Sequence, residues 1–198
     1  MRTLYLATGN KHKVAEIRPL LEGINIEAYA PPGDFEEGTA SLVINAIDKA
    51  RVVADILRKK GEDALVMAED TGLFVDALKD AGPGVTSSRY AGEGATYKDN
   101  TQKLLQAMQR LPPEQRQARF MTICSLVSNN YTFAAPGRLD GAIAQAERGT
   151  GGFGYDPVFV PNSGDRTLAE IASEDKIKMS HRTRAIKAML PYIAQMIK

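Results

Sequence analysis

The stretch "TLYLATGNKHKVAEIRPLLE", Thr3 to Glu22, decides the fold class. The segment "TLYLA" is a short apolar strand, "TGNKHK" is a turn, and "VAEIRPLLE" repeats apolar residues at helical spacing. Pro19 predicts an irregularity in that helix, because proline cannot join the regular hydrogen bonding of a helix interior. A strand, a loop and a helix in this order indicate an α/β protein.

The rest of the chain continues to alternate between helix and strand signals. A helix is expected from about Ser41 to Lys60, followed by the strand "ALVMA", which should end at Glu69 and Asp70. A further helix covers "YKDNTQKLLQAMQRL", and the last one starts near Ser180. Four strands are predicted in the second half: "QARFMTICSLVS", "NYTFAA", "LDGAIAQAE" and "DPVFV". The expected fold class is therefore α/β (α+β mixed), with a mixed sheet and helices.

The composition is that of a globular protein and disfavours several function classes. Of the 198 residues, 43% are hydrophobic and 25% are charged, which predicts one domain over residues 1–198. The net charge of +1 disfavours general binding to nucleic acid or membranes. No apolar stretch approaches the ~20 residues of a membrane helix, and "MRTLYLATGN" lacks the pattern of a signal peptide. The single cysteine, Cys124, suits a reducing compartment, so we expect a soluble, cytoplasmic protein.

The turn "TGNKHK" is the first candidate binding segment. It places cations at a helix start, where the macrodipole disfavours each by ~0.3–1 kcal/mol, so a phosphate would compensate. The segment is not a Walker A loop, because the G-x-x-x-x-G-K-[ST] pattern is absent. An exposed basic turn capped by Thr8 or Asn10 explains the same residues equally well. The candidate phosphate-binding residues are Thr8, Gly9, Asn10, Lys11, His12 and Lys13.

A second basic segment, "KIKMSHRTR", also lies where a helix is expected to begin. A solvated run of charge is the usual explanation for such a segment, and a lone histidine is more often structural. Two cation-rich helix starts in one nearly neutral protein nevertheless favour a shared polyanionic ligand. The candidates in this segment are Lys176, His181 and Arg182.

Two adjacent carboxylates, Glu69 and Asp70, follow the strand "ALVMA". Neighbouring side chains on a strand point to opposite faces, so the two are expected to have different roles, with Asp70 the better candidate for a base or a metal ligand. Glu36 and Glu37 precede the long helix, where acids are also ordinary helix-start residues. Carboxylates together with phosphate-binding cations are what Mg²⁺ chemistry on phosphates requires.

The stretch "RGTGGFGYDPVF", Arg148 to Phe159, combines glycines with aromatic rings. It matches G-x-G-x-x-G, but Pro157 prevents the helix that a dinucleotide fingerprint needs directly afterwards. The RNP1 pattern of RNA-binding sheets fails too, because Asp156 stands where Val belongs. Phe153 and Tyr155 can pack against a planar base while Asp156 accepts a hydrogen bond from it. A tight turn with core aromatics is the commoner explanation of such a loop.

The chain contains five linked motifs that span nearly its whole length: "LATGNKHK", "AEDTGLFVD", "GPGVTSSRYAG", "GTGGFGYDPVF" and "SHR". In this order they resemble the inosine triphosphate pyrophosphatase family, whose members remove aberrant purine nucleoside triphosphates. The resemblance implies an elongated mixed sheet flanked by helices, two lobes with a central active-site cleft, and a homodimer. It also implies Mg²⁺-dependent hydrolysis of ITP, dITP or XTP to the nucleoside monophosphate and pyrophosphate.

The same resemblance assigns roles to individual residues. Residues 8–13 would hold the triphosphate, Asp70 would be the catalytic acidic residue and a metal ligand, and Thr71 would contact the substrate. Glu37 would lie close to the metal, with Glu69 as a further candidate ligand. The purine pocket and its rim would comprise Phe153, Gly154, Tyr155, Asp156, Lys176, His181 and Arg182.

Two positions depart from the family pattern. Members commonly carry Asp-Asp-Ser-Gly where this chain has "EDTG", so Glu69 would place its oxygens differently from an aspartate. Ile44 stands where a Glu before the Asn is common, which puts the role of that carboxylate and the level of activity in question. A pyrophosphatase for canonical or modified pyrimidine triphosphates is the second hypothesis. A nucleotide sensor without turnover is the third, favoured by Ile44 alone.

Overall fold

The fold is built on one six-stranded mixed sheet, seen in a computed structural model that describes residues 2–33 and 35–197. The strands are β1 (Leu4–Leu6), β2 (Ile26–Ala28), β3 (Leu65–Val75), β4 (Gln117–Val127), β5 (Thr132–Ile143) and β6 (Phe159–Pro161). Their order is β2-β1-β3-β4-β5-β6; β1 is parallel to β2 and β3, and β5 is antiparallel to β6. The helices are α1 (Lys11–Ile17), α2 (Leu42–Lys59), α3 (Tyr97–Ala107), α4 (Ser173–Met179) and α5 (His181–Met196). The predicted mixed α/β class is confirmed.

The helices follow local signals in the sequence. Ser41 caps α2 by accepting a hydrogen bond from the Ile44 N–H at 3.4 Å, which agrees with the start predicted for this helix. Pro19 lies in a short 3₁₀ segment, Arg18–Leu21, that continues from α1, so the predicted irregularity is present. Across residues 2–33 and 35–197, every helix is too short or too polar to cross a bilayer.

The chain forms two compact units. Unit 1 comprises the described residues of Met1–Asp70, Thr122–Gly137 and Arg182–Lys198, and unit 2 comprises Thr71–Met121 and Arg138–His181. The division falls inside β3, β4, β5 and α5, so these elements belong to both units. Each unit has its own hydrophobic core.

Unit 1 has a core cluster on each face of β3. The cluster with α1 and α5 contains Leu65 and Met67, together with the fully buried Cys124, whereas the cluster with α2 contains Val66 and Ala68. Successive side chains of a strand point to opposite faces. Glu69 therefore continues the face of α1 and α5, and Asp70 continues the face of α2.

Unit 2 packs helix α3 and the glycine-rich loop on its part of the sheet. The core includes Leu73, Val75, Leu104, Phe120, Tyr155 and Phe159. Burial of these large side chains supplies the main stabilisation, at roughly 25 cal/mol per Å² of apolar surface. The loop is therefore part of the folded core at Tyr155.

The expectation that a strand ends at Glu69 and Asp70 is wrong, because β3 continues to Val75. Beyond the carboxylates, Leu73 is fully buried and its N–H donates to the Ser87 hydroxyl at 2.8 Å. These contacts join residues that are distant in sequence, so the local pattern did not reveal them. Both carboxylates lie in the middle of a strand, where their side-chain directions are fixed.

The two strands expected on either side of "PG" are one continuous strand, β5. Pro136 is exposed and lies outside residues 141–143, which pair with β6. A proline is tolerated in a strand where its missing N–H faces no partner strand. Pro136 therefore does not end β5, which continues to Ile143.

The segment "KIKMSHRTR" is divided between two helices that meet at Ser180. Lys176 and Lys178 lie in the last turn of α4, where the helix dipole favours cations. The sequence predicted that the helix dipole would disfavour every cation of the segment. That prediction is wrong for these two lysines. It applies only to the segment's basic residues in the first turn of α5, which are His181, Arg182 and Arg184.

Candidate active site

On one side of β3, Glu69 lies at the centre of a buried group that we call the Glu69 cluster: Lys13, Glu16, Glu69 and Arg182. The Glu69 carboxylate is 2.8 Å from Lys13 Nζ and 3.2 Å from Arg182 Nε. Arg182 also donates to Glu16 through Nη1. The side chains of Glu69 and Arg182 are only 2% and 3% exposed. Two cations and two carboxylates therefore balance their charges, with Glu69 and Arg182 shielded from water and Lys13 and Glu16 partly exposed.

The partners of Glu69 keep it ionised. Burial disfavours its charged form, but attraction to Arg182 and then to Lys13 outweighs burial and holds the pKa of Glu69 well below its ordinary value. Burial, followed by the charge of Glu69, raises the pKa of the neighbouring Cys124 thiol. Glu69 is a carboxylate whose charge is already compensated within the protein.

On the opposite side of β3, Asp70 belongs to a second group, the Asp70 cluster: Glu37, Asn45, Lys49 and Asp70. The Asn45 side-chain amide donates to Asp70 Oδ2 at 2.9 Å and to the Gly38 carbonyl at 3.0 Å. Lys49, one turn further along α2, forms an ion pair with Glu37. Asn45 thereby ties the loop that carries Glu37 to the carboxylate of Asp70.

The charge of Asp70 is less well compensated than that of Glu69. Burial raises the pKa of Asp70 and the negative charge of Glu37 raises it further, while Lys49, the hydrogen bond from Asn45 and the charge of Lys13 offset only part of this rise. Asp70 is 4% exposed. A buried carboxylate in this condition gains stability from a bound cation.

Asp70 and Glu37 are the carboxylates that suit a divalent cation. Among residues 2–33 and 35–197, no three His, Cys, Asp or Glu side chains are grouped closely enough to hold a metal ion by themselves. Mg²⁺ commonly uses one or two carboxylates and completes its shell with substrate phosphates and water. The pair therefore fits the share of an Mg²⁺ shell that a protein commonly supplies. Glu69 contacts Lys13 and Arg182 on the other face of β3 and is separated from this pair.

Residues 8–13 form a capped helix start, and the last of them reaches the Glu69 cluster. The Asn10 side chain accepts hydrogen bonds from the His12 N–H at 3.0 Å and the Lys13 N–H at 3.3 Å. The Thr8 hydroxyl accepts from the Asn10 N–H at 3.1 Å. The N-cap is thus Asn10, one of the two residues predicted for it. Lys11 and His12 are exposed, and the Lys13 side chain is 18% exposed.

The glycine-rich loop folds around the carboxylate of Asp156. Gly152 has a φ of 70°, and a Cβ at this position would clash with Asp156. Asp156 Oδ2 accepts a hydrogen bond from the Phe153 N–H at 2.7 Å and lies 2.6 Å from Lys176 Nζ. The Asp156 and Lys176 side chains are 5% and 6% exposed, so the loop and the end of α4 share a buried ion pair.

The two aromatic residues of the loop occupy different environments. The Phe153 ring is half-buried, with Lys176 Nζ 5.2 Å from its centroid and the Tyr97 ring 5.8 Å away. Tyr155 is 5% exposed, and its hydroxyl donates to the Ser87 carbonyl at 2.8 Å. Phe153 is therefore the ring that a ligand can reach, whereas Tyr155 anchors the loop in the core.

The remaining predicted residues are divided between the units. His181, in unit 2, is buried and stacks on Phe120 with ring centroids 4.5 Å apart. Arg182, the next residue, lies in unit 1 within the Glu69 cluster. Thr71 is half-buried in β3 and begins unit 2. Gly154 has a φ of 64° and completes the turn before Tyr155.

Sequence reasoning missed Asn45, Lys49, Glu16 and Tyr97. Asn45 and Lys49 are four residues apart on the buried side of α2, 3% and 7% exposed. Polar residues at this spacing within an apolar helix face were a usable signal, because buried polar groups require partners. Glu16 and Tyr97 carried no comparable signal.

The five ordered motifs find their counterpart in one family model: that of the Ham1 family matches residues 4–192 of the chain. The chain belongs to the Ham1 family. This membership agrees with the resemblance drawn from the motifs. It covers both units, so the Glu69 and Asp70 clusters and the glycine-rich loop all lie inside the matched region.

Ham1 relatives match the chain over nearly its full length. A dITP/XTP pyrophosphatase of Thermoanaerobacter pseudethanolicus is 39% identical over 200 residues, covering 98% of each chain. One of Escherichia coli strain K12 is 41% identical, covering 96% of this chain and 97% of the relative. The solved structure of a HAM1 protein from Coxiella burnetii is 35% identical with a TM-score of 0.84, covering 98% of this chain and 100% of that one. A dITP/XTP pyrophosphatase structure from Mycobacterium abscessus is 38% identical with a TM-score of 0.74, covering 96% and 99%.

Proposed function

We propose that this protein hydrolyses dITP, ITP and XTP at the α–β phosphoanhydride bond, with Mg²⁺, to give the nucleoside monophosphate and pyrophosphate. Full-length similarity to relatives named dITP/XTP pyrophosphatase makes the chain a nucleoside triphosphate pyrophosphatase. The Asp70 cluster is the observation that supports Mg²⁺-dependent hydrolysis at this bond. It presents a buried, under-compensated carboxylate beside a second carboxylate.

In this proposal, the Asp70 cluster directs the attack of water. Asp70 and Glu37 would hold Mg²⁺, which when bound would neutralise charge on the phosphates. Asp70 would accept a hydrogen bond from the attacking water and orient it towards the α-phosphorus. Asn45 occupies Asp70 Oδ2 and so fixes the rotation of the carboxylate. The new P–O bond would form as the bond to the bridging oxygen breaks. Pyrophosphate would depart with the electron pair, and the proton lost by the attacking water would pass to Asp70 and then to solvent.

Lys13 would stabilise the leaving group. Its ammonium lies 2.8 Å from Glu69, at an 18% exposed side chain, so it is held in place and still accessible to an anion. Negative charge grows on pyrophosphate as the bond breaks, and a fixed cation lowers the energy of that state more than that of the bound substrate. Glu69 and Arg182 would act by holding Lys13.

Base selectivity would come from the glycine-rich loop and α4. Phe153 would pack against the purine ring, and the Lys176 ammonium beside it would donate to an oxo group at purine position 6. Adenine carries an amino group there, which is itself a donor and cannot accept a hydrogen bond from Lys176. A site built for an acceptor rejects such a base because its polar groups are left unpaired.

The experiment incubates purified protein and Mg²⁺ separately with ITP, dITP, XTP, GTP, ATP and CTP. Chromatography then resolves monophosphate and pyrophosphate from diphosphate and phosphate. We expect monophosphate and pyrophosphate from the first three nucleotides and little product from ATP. GTP also carries an oxo group at position 6, so its turnover measures discrimination at position 2. Equal kcat/KM for ITP and ATP would overturn the selectivity proposal. Faster turnover of CTP would favour a pyrimidine triphosphate pyrophosphatase.

We further propose, from the family resemblance, that the protein is a cytoplasmic homodimer. Light scattering after size-exclusion chromatography should then give twice the 21.5 kDa mass of the chain. A mass equal to that of one chain at micromolar concentration would exclude a stable dimer.

A further inference from the structure

We infer that Tyr97 is a second aromatic residue of the base-binding surface and packs against the purine beside Phe153. This inference rests on the proposed function, in which Phe153 contacts the base. Tyr97 is 41% exposed, and its ring centroid lies 5.8 Å from that of Phe153, with 46° between the ring planes. Both residues belong to unit 2.

The start of α3 fixes the backbone of Tyr97. Thr96, the N-cap, accepts a hydrogen bond from the Asp99 N–H at 3.2 Å, and Asp99 accepts one from the Thr96 N–H at 2.8 Å. This reciprocal capping box holds the first helical residue, Tyr97, in one place. The ring is therefore presented from a rigid element.

Thr101 connects this helix start to the glycine-rich loop. Thr101 is only 2% exposed. Its hydroxyl lies 2.9 Å from the Tyr97 carbonyl oxygen and 3.4 Å from the Gly154 carbonyl oxygen. Gly154 directly follows Phe153. The separation of the two rings is thus set by buried contacts of the protein and does not require a ligand.

The surface around the two rings has the chemistry of a site for a planar heterocycle. Tyr97 and Phe153 offer apolar ring surface, while the Lys176 ammonium lies over the Phe153 ring, 5.2 Å from its centroid, and pairs with Asp156 at an N–O distance of 2.6 Å. A purine has an apolar face and polar edges, and aromatic side chains bind the face whereas charged groups bind the edge. Tyr97 extends the ring surface beyond what Phe153 alone provides.

The test compares Tyr97→Ala with Tyr97→Phe and with the control Tyr131→Ala. Tyr131 is 58% exposed and stacks with Phe133 in unit 1, so its removal deletes an exposed ring remote in sequence from the loop. Calorimetry in EDTA measures the dissociation constants of ITP and of inorganic tripolyphosphate, which lacks a base. Thermal unfolding of each variant checks the fold.

We expect Tyr97→Ala to weaken ITP binding by about tenfold, as for loss of one stacking ring, and to leave tripolyphosphate binding within about twofold. Tyr97→Phe and Tyr131→Ala should bind ITP like the wild type. Unchanged ITP affinity in Tyr97→Ala, or equal weakening for ITP and tripolyphosphate, would overturn the inference. Hydrolysis of ITP by the wild type is measured separately, so failure of the proposed function is distinguished from failure of the role of Tyr97.

Discussion

Glu69 and Asp70 are adjacent in β3 and equally buried, yet the pKa of one is lowered and that of the other is raised. The face of α1 and α5 offers Glu69 two cations, Lys13 and Arg182. The face of α2 offers Asp70 an amide and one lysine, and that lysine is already paired with Glu37. Burial alone therefore does not decide what a carboxylate does, because its partners set the cost of its charge.

This difference in partners indicates a structural role for Glu69 and a role in the reaction for Asp70. Glu69 has its oxygens taken by cations of the protein, so its removal should mainly disturb the fold. Asp70 retains a demand for positive charge, which a nucleotide-bound cation would meet. Substitutions at the two residues and at their partners test this difference.

Asp70→Asn is expected to lower kcat for ITP by about 10³-fold, within the range for loss of a positioned acid–base group. Nucleotide binding should persist, because Asn keeps the shape of the side chain. Steady-state kinetics and calorimetric titration measure the two quantities. Asp76→Asn is the control, since Asp76 follows β3 and its side chain is 58% exposed. Near-normal turnover in Asp70→Asn would remove Asp70 from the reaction.

Glu69→Gln is expected to lower the free energy of unfolding by about 3–5 kcal/mol, because it removes the buried counter-charge that Arg182 and Lys13 share. Urea denaturation measures this loss. Glu16→Gln is the matched variant: Glu16 also pairs with Arg182, but its side chain is 17% exposed, so a smaller loss is expected. A loss below about 1 kcal/mol in Glu69→Gln would contradict a structural role for the cluster.

Asn45→Ala is expected to lower kcat/KM by about tenfold, since a hydrogen bond to a charged group contributes about 1.5–3 kcal/mol. The acidic limb of the pH–rate profile should also move to higher pH, because the Asn45 hydrogen bond lowers the pKa of Asp70. Asn100→Ala provides the control. Asn100 is 2% exposed and bridges the Ala91 N–H and the Ser88 carbonyl in unit 2. An equal pH shift in both variants would count against the role of Asn45.

The pH dependence of stability in Mg²⁺-free buffer should have opposite signs at the two residues. The pKa of Glu69 is lowered by folding, so its stabilising contribution is present above its unfolded value and is lost as pH falls through the folded value. The pKa of Asp70 is raised, so its ionisation costs stability as pH rises through the folded value. The stability difference from wild type should therefore shrink at low pH for Glu69→Gln. For Asp70→Asn, any gain in stability over wild type should appear only as pH rises. If the stability difference from wild type changed with pH in the same way for both variants, the opposite effects of folding on the two pKa values would be contradicted.

Local sequence patterns were sufficient for part of this arrangement. Period-2 alternation in β3 placed Glu69 and Asp70 on opposite faces, and Ser41 marked the start of α2, because both depend on neighbours in the chain. The pairing of Glu69 with Arg182 joins residues 113 positions apart, and no local pattern encodes it. The burial of Tyr155 likewise depends on Ser87, 68 positions away.

The length of β3 and the continuity of β5 were mispredicted for a related reason. A turn signal such as Pro136-Gly137 ends a strand only where the ladder needs the missing N–H, and that depends on which strand lies alongside. Asn45 and Lys49 were overlooked because the apolar residues around them in α2 gave the stronger periodic signal. Their importance follows from the partners that tertiary folding brings to them.

Chemical labelling of the buried Cys124 can report when the structure of unit 1 opens. Thiol reagents attack the thiolate, and a fully buried thiol with a raised pKa is protected from them in the folded state. A maleimide added to the wild-type protein should therefore label Cys124 only when the structure around it opens. Where reclosing is faster than the reaction with the reagent, the labelling rate divided by the rate for an exposed thiol gives the equilibrium constant of opening under native conditions, and from it the free energy. A cysteine introduced at a surface position can be modified selectively without removing Cys124.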